Sequence, residues 1–447
     1  MRGAGEILVV SCYELGRQPV AAASAIAALE RAGFAPAAQD VSIDKLSPQA
    51  LSRARLVLIS VPMHTALQLG VRVAAKAREA GARVAFFGLY AALNAAHLCE
   101  RHGDFAAGEN TADLVELARA LEDGRAPAVG EGSKRDVAVP SRGALPDLDR
   151  YAKLVWNGEE RLVASVDASR GCKHLCRHCP IVPVYRGRFV AVPRETVLAD
   201  VAQQIAAGAR HVSFGDPDFL NGPTHAFRIA RELHERWPRI SFDATIKIEH
   251  LLQHRALLPE LARCGMIFVT SAVESLSDRV LAALRKGHAA ADVPLALAAV
   301  REAGTELRPT LLPFTPWAAL EDLPALFDFA IEHDLVGAID PVQYTLRLLL
   351  PPGSLLLEDA GPWLRDFDAD AFTWRWEHED PRVDALWRES VEAVRNGAGF
   401  EELRALADHA LRRPLAKRAG RSRRSVPRLT EPWFCSAEPT AGQFGRV

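Results

Sequence analysis

The sequence predicts an α/β protein with an N-terminal doubly wound parallel domain, a partial (β/α)6 barrel and a mainly helical or irregular C-terminal extension. Three observations carry this. Through residues 1–125, short β-rich apolar runs alternate with Ala-rich amphipathic stretches, the pattern of βαβ units. The alternation resumes over 161–355 with six candidate strands. Between them, 126–160 lapses into Gly, Pro and charged residues and reads as a linker, and 356–447 changes character, holding Trp363, Trp374, Trp376, Trp387 and Trp433.

In the first domain EILVVSCYE reads as a strand and QPVAAASAIAALERAG as a helix closed by Gly33. After a loop, ARLVLISVP is a second strand, LQLGVRVAAKAREAG a helix and ARVAFFGLY a further strand. Continuous Val/Ile/Leu runs fit parallel strands buried on both faces, with ligands expected beyond their carboxyl ends. No GxGxxG or GxxxxGK[ST] motif occurs there, so dinucleotide and P-loop readings lack support. The six barrel strands are LVASVDAS, HVSFGD, ISFDATI, MIFVTSAVE, ELRPTLLPF and AIDPVQYTLRL, with helices such as RETVLADVAQQIAAG and LEDLPALFDFAIEHD between them. Functional groups of such a barrel cluster at the strand carboxyl ends.

A chain of 447 residues suits two or three domains. Its 49% hydrophobic and 25% charged residues belong to a folded globular protein, and a net charge of -2 argues against a whole-protein electrostatic grip on nucleic acid. No apolar run approaches a membrane span or a signal core, so a cytoplasmic location is expected. The basic stretch LRRPLAKRAGRSRRSVPR reads as a solvated linker, with an anion or partner contact as the alternative.

Seven cysteines do not form a disulfide framework. Cys12, Cys99 and Cys264 read as ordinary buried thiols. Cys172, Cys176 and Cys179 instead crowd into the segment Ser169–Pro180 in C-x3-C-x2-C spacing, after the first barrel strand. Three thiolates so close can wrap one metal centre, and on an iron–sulfur cluster they leave one iron without a protein ligand. That iron suits the amine and carboxylate of an amino acid. A structural zinc site with His174 or His178 as fourth ligand stays open as an alternative, as does an electron-transfer cluster completed by Cys264 or Cys435.

With this spacing at this place, the chain resembles the radical S-adenosylmethionine (SAM) superfamily. The resemblance implies a [4Fe-4S] cluster on Cys172, Cys176 and Cys179, reductive cleavage of SAM to a 5'-deoxyadenosyl radical, and hydrogen abstraction from an unidentified substrate. A flavodoxin- or ferredoxin-type electron donor follows. His178, before the third cysteine, takes a position beside the SAM adenine. Gly215 and Asp216, with Asp218 as second choice for the carboxylate, stand where the family receives the methionyl ammonium, although the sequence reads Gly-Asp-Pro there. Glu274 and Ser275 fall in a VES stretch whose Glu contacts SAM. Lys247 and Arg308 are candidates to neutralise the SAM carboxylate, and Lys286 and His288 follow the next helix.

The Rossmann-like N-terminal domain, including its closing stretch GDFAAGENTADLVELARAL, is similar to the cobalamin-binding branch, for which methyl transfer is the implied chemistry. The Asp-x-His-x-x-Gly signature is missing: His64 lacks the Asp and the Gly, so a bound cobalamin has no histidine below its cobalt. The tail around Cys435 is similar to radical SAM proteins ending in Cys-selenocysteine-Ala-Glu-Pro or Cys-Cys-Ala-Glu-Pro. Ser436 replaces the second chalcogen, which leaves Cys435 as a candidate catalytic thiol acting alone.

Overall fold

The computed structural model describes residues 1–127, 137–414, 424–431 and 439–447. Half of the basic stretch, 415–423, and Cys435 lie outside the described residues.

The N-terminal domain is a five-stranded parallel sheet of β1 (Ile7–Ser11), β2 (Ala37–Asp40), β3 (Leu56–Ser60), β4 (Arg83–Phe87) and β5 (Phe105–Ala107), in the order β2-β1-β3-β4-β5. This is the flavodoxin-like doubly wound order. All residues of β1 and β3 are buried, as expected for central strands packed on both faces. The helix Val20–Arg31 ends where Gly33 adopts φ +86°, the left-handed stop that its sequence implies. β2 falls in the stretch read as a loop: its Ala-Ala-Gln-Asp is only half buried at the sheet edge and has no apolar pattern to betray it.

The second sheet starts earlier than the sequence suggests. β6 (Lys153–Trp156) and β7 (Glu159–Val166) form an antiparallel hairpin inside the expected linker and at its border. Asn157 and Gly158 make the turn with φ +51° and +79°, the Asn-Gly hairpin signal. β8 (Ser169–Gly171) and β9 (Phe189–Ala191) pair beside the cysteine segment. β10 (His211–Phe214), β11 (Ser241–Thr245), β12 (Met266–Glu274) and β13 (Glu306–Leu311) continue from β7 in parallel, giving the partial barrel.

The sixth expected strand is largely a 3-10 turn, Pro341–Thr345, and retains one parallel bridge between Phe314 and Arg347. Pro341 opens that turn, and the Gln343 side chain accepts from Leu311 N at 3.0 Å, taking a bond that a sixth strand's backbone would have made.

In the C-terminal extension, the hairpin β14 (Leu364–Asp368) and β15 (Thr373–Trp376) precedes helices Pro381–Arg395 and Phe400–Ala410. Val383, Leu386, Leu403 and Ala407 join the barrel core, while Phe372 joins that of the N-terminal domain. β16 (Arg428–Leu429) returns to pair with β6, and Tyr13 Oη donates to Glu431 at 2.7 Å. The extension thus ties the two sheets together. Arg142 does so as well: buried, it holds Asp200 through two bonds of 2.7 and 2.8 Å, the Ser165 carbonyl at 2.6 Å and Gln18 Oε1 at 3.0 Å. Among the described residues no helix is long and apolar enough to cross a membrane. Cys12 and Cys264 are buried, but Cys99 is exposed, on the outer face of the short helix Ala95–Arg101.

Candidate functional site between the two sheets

Parallel strands end in loops free to carry polar groups, so two such sheets whose carboxyl edges face each other enclose a polar-lined space. A cavity of about 420 Å³ lies at that place. Leu15, Pro62, Met63, Gly88 and Glu109 reach it from beyond β1, β3, β4 and β5. Asp167, Asp216, Lys247 and Leu312 reach it from beyond β7, β10, β11 and β13, and Glu274 from the last position of β12.

Cys172, Cys176 and Cys179 all line this cavity. The segment is turned sharply at both ends. Gly171 has φ +79°, and a Cβ there would stand 2.3 Å from the Tyr185 ring and 2.6 Å from the Arg188 carbonyl, so no other residue fits. The Cys179 amide donates to the Cys176 carbonyl at 3.1 Å, closing a turn that keeps the later two thiols together. Asn221 holds the front of the loop, accepting from Lys173 N at 3.2 Å and donating to the Gly171 carbonyl at 3.3 Å. Burial pushes the Cys172 thiol up, and burial followed by the neighbouring Cys176 pushes Cys179 up to about 12. Two buried thiols and a half-buried one, gathered on one loop, form a donor set whose thiolates need a cationic centre.

Glu274 stands beside them in a strained setting. It lies at a bulge of β12 with φ +64°, unusual for a residue with a Cβ. Its Oε1 is 3.1 Å from Lys286 Nζ and 3.2 Å from His178 Nε2. Burial alone would raise the Glu274 pKa, but the Lys286 charge and these bonds outweigh it and bring the group down to about 2. Burial likewise opposes the Lys286 ammonium, yet the adjacent carboxylate leaves its pKa above the ordinary value. Nδ1 of His178 is buried without a hydrogen-bond partner, an orphaned polar atom in a cavity-lining residue.

The other expected residues divide. Gly215 and Asp216 line the cavity, but Asp216 accepts from Ser169 Oγ at 2.6 Å and Ala168 N at 2.8 Å, and burial pushes its pKa up to about 7. Lys247 lines the cavity and pairs with Glu249 at 3.1 Å. Asp218, Ser275, Arg308 and His288 are not among the lining residues. Asp218 caps Leu220 N, Ser275 accepts from Ser277 N at 3.1 Å, and Arg308 pairs with Asp340 at 2.9 Å. Neither Lys247 nor Arg308 is solvated. Cys435 falls in the segment 432–438, outside the described residues.

Several lining residues escaped the sequence reading. Arg170 pairs with Asp167 and crosses to the N-terminal domain, bonding Ser24 Oγ at 3.2 Å and the Glu109 carbonyl at 3.4 Å. Tyr185 Oη donates to Glu109 at 2.5 Å. Burial, then the Asp167 charge, lifts Glu14 to about 8. Position just past a strand's carboxyl end was the only signal for Glu14 and Asp167, and nothing local marked Tyr185.

Residues 166–327 match the model of the radical SAM superfamily, a span that contains the three cysteines, Glu274 and Lys286. The chain carries a radical SAM domain. A tRNA-2-methylthio-N(6)-dimethylallyladenosine synthase of Pseudomonas paraeruginosa is 30% identical over 158 residues, which are 32% of this chain and 34% of that protein. The synthase of Vibrio parahaemolyticus is 25% identical over 197 residues, 41% of this chain and 40% of its own. The chain thus spans well under half the length of these curated relatives. Among solved structures, the radical SAM methyltransferase TsrM of Kitasatospora setae, with cobalamin and a [4Fe-4S] cluster bound, aligns at TM-score 0.66 and 17% identity over 94% of this chain and 92% of its own. The cobalamin-dependent radical enzyme OxsB, with aqua-cobalamin bound, aligns at 0.66 and 13% identity over 91% of this chain and 71% of its own. At those identities the likeness is one of fold. It covers the N-terminal sheet as well as the radical SAM domain.

Proposed function

We propose that this chain is a radical SAM enzyme that holds a [4Fe-4S] cluster on Cys172, Cys176 and Cys179, binds SAM and cobalamin in the cavity between its sheets, and transfers a methyl group to a substrate there. The observation that carries this reading is the single cavity onto which both carboxyl edges open, with three thiols on the barrel side. The donor set fits a cluster with one open iron. Glu274, held ionised by Lys286, and the unpartnered Nδ1 of His178 supply polar contacts for SAM. On the opposite side Gly88 and Gly108 leave backbone bare toward the cavity, and the amino end of helix Thr111–Glu122 reaches it through Asn110 and Thr111. That side fits a large ligand with polar edges and apolar faces.

When bound, the cluster supplies the electron that splits SAM into methionine and a 5'-deoxyadenosyl radical, and cobalamin supplies a carrier for the methyl group. The chain contributes orientation, water exclusion and charge. Glu274 and Lys286 fix each other, so neither reorganises when a ligand arrives. Glu14, half-buried at the cavity wall and lifted to about 8, is placed to hold a proton at neutral pH and to take up or give one inside the cavity. His64 would not reach a cobalamin held in the cavity: it is buried, Nε2 meets the Gln68 amide at 3.0 Å, and Pro62 and Met63 line the cavity in its place. The electron donor is of flavodoxin or ferredoxin type, and the methyl acceptor is an unreactive carbon or phosphorus centre.

The test is anaerobic incubation with hydroxocobalamin, removal of free cofactor and a visible spectrum, followed by reaction with SAM carrying a deuterated methyl group. One cobalamin per chain, without a histidine ligand signature in electron paramagnetic resonance of the cob(II)alamin form, supports the reading. A cluster-loaded chain that retains no cobalamin overturns its methyl-transfer part.

A further inference from the structure

The cysteine segment carries a second group of ligating side chains that turns away from the cavity. His174 stands between Cys172 and Cys176, Asp218 follows β10, and His250 lies in the helix Ile248–Gln253 after β11. None of the three is a cavity-lining residue, and their ligating atoms lie within 4.8 Å of one another. Nε2 of His174 is 3.1 Å from Nε2 of His250 and 3.8 Å from Oδ2 of Asp218, which is itself 2.6 Å from Nδ1 of His250. Asp218 is 0% and His250 1% exposed. Despite the short approach, Oδ2 of Asp218 and Nδ1 of His250 make no aligned hydrogen bond.

Buried polar atoms left in this way are costly, and the arrangement asks for a shared partner. A neutral imidazole offers one N–H and one lone pair, so a ring-to-ring contact satisfies only one atom of each. A cation accepts lone pairs from both rings and from the carboxylate together. At zinc bond lengths of about 2.0–2.1 Å in a tetrahedron, ligand atoms sit roughly 3.3 Å apart; His174 Nε2 stands at 3.1 and 3.8 Å from its two neighbours, while Asp218 meets the far ring nitrogen of His250, Nδ1, at 2.6 Å, so one ion takes all three once the carboxylate or that ring turns. Glu249 lies 3.5 Å from Nδ1 of His174, an outer carboxylate placed to turn Nε2 inward. The His174 side chain is 15% exposed, which opens a path for an ion and a place for water.

We propose that His174, Asp218 and His250 form a binding site for a divalent transition ion of the zinc class. Two imidazoles and one carboxylate disfavour magnesium and calcium, which take oxygen ligands. The ion pins the loop bearing the three cysteines to the loops after the second and third barrel strands, adding to the hold of Asn221 on Lys173 and Gly171. The site rests on none of the SAM or cobalamin assignments.

Because free cysteines also bind zinc, the decisive protein is the full chain with Cys172, Cys176 and Cys179 all replaced by Ser. After exposure to zinc alone and removal of the excess, it retains one zinc per chain, and cobalt in its place gives visible ligand-field bands without thiolate charge transfer. His174→Ala, on the solvent side and checked for folding by circular dichroism, lowers affinity at least about tenfold, and His250→Ala or Asp218→Asn does the same. In the cluster-loaded wild-type chain one zinc accompanies the iron. If the triple variant holds no more zinc or cobalt than its folded His174→Ala derivative, the proposal is overturned and the three side chains are a hydrogen-bonded cluster.

Discussion

Replacing Glu274 by Gln keeps the side-chain shape and removes the charge that balances buried Lys286. The carboxyl group goes from an ordinary 4.5 to about 2 in the folded chain. At about 1.36 kcal/mol per pH unit, the ionised Glu274 contributes about 3 kcal/mol at neutral pH. A group with a depressed folded pKa contributes fully above its unfolded pKa and loses that contribution as pH falls through the folded one. The difference between wild type and Glu274→Gln should therefore be about 3 kcal/mol at pH 7 and close between pH 4.5 and about 2. Lys286, 3% exposed and then without a counter-charge, makes the loss persist at neutral pH. Urea unfolding of the cluster-free, SAM-free chain measures this apart from any ligand contact. Equal midpoints and slopes at pH 7 would refute the claim that this pair is held as ions inside the site.

Arg142→Met leaves Asp200 buried without a counter-charge, held only by the Gln203 and Gln204 amides, and should cost about 3 kcal/mol in urea unfolding, most of it recovered when Asp200→Leu is added. Gly171→Ala puts a methyl group into the Tyr185 ring at φ +79°, so iron retained after reconstitution should fall several-fold while the N-terminal sheet keeps its hydrogen-exchange protection. Tyr185→Phe removes the 2.5 Å bond to Glu109 and should cost about 2 kcal/mol, with faster amide exchange confined to the facing loops. Unchanged exchange there would show that Tyr185 does not couple the domains.

Local patterns made much of this chain readable. The buried strands announce themselves by Val/Ile/Leu runs, Gly33 marks a helix end, and three thiols within eight residues mark a metal centre before any fold is known. What stayed hidden depends on tertiary pairing. β2 is an edge strand of small residues without alternation. The Asn157-Gly158 turn was readable in principle, but its flanks sit among linker-like charges. The sixth barrel strand was lost because the Gln343 side chain and the Pro341 turn compete with its backbone. At the site, the pattern that flagged Glu274 could not foresee its pairing with Lys286, twelve residues on. Asp218 and Arg308 are candidates for opposite ends of the SAM methionyl group in sequence, yet the fold turns one toward His250 and the other toward Asp340. Tyr185 and Glu109 meet only because two domains do.

The most direct measurement is chromatographic detection of 5'-deoxyadenosine after anaerobic reconstitution with iron and sulfide and incubation with SAM and dithionite, with Cys176→Ala in parallel. The account predicts 5'-deoxyadenosine from the wild-type chain and none from the variant. A wild-type chain with a full cluster that neither forms 5'-deoxyadenosine nor binds SAM would contradict it.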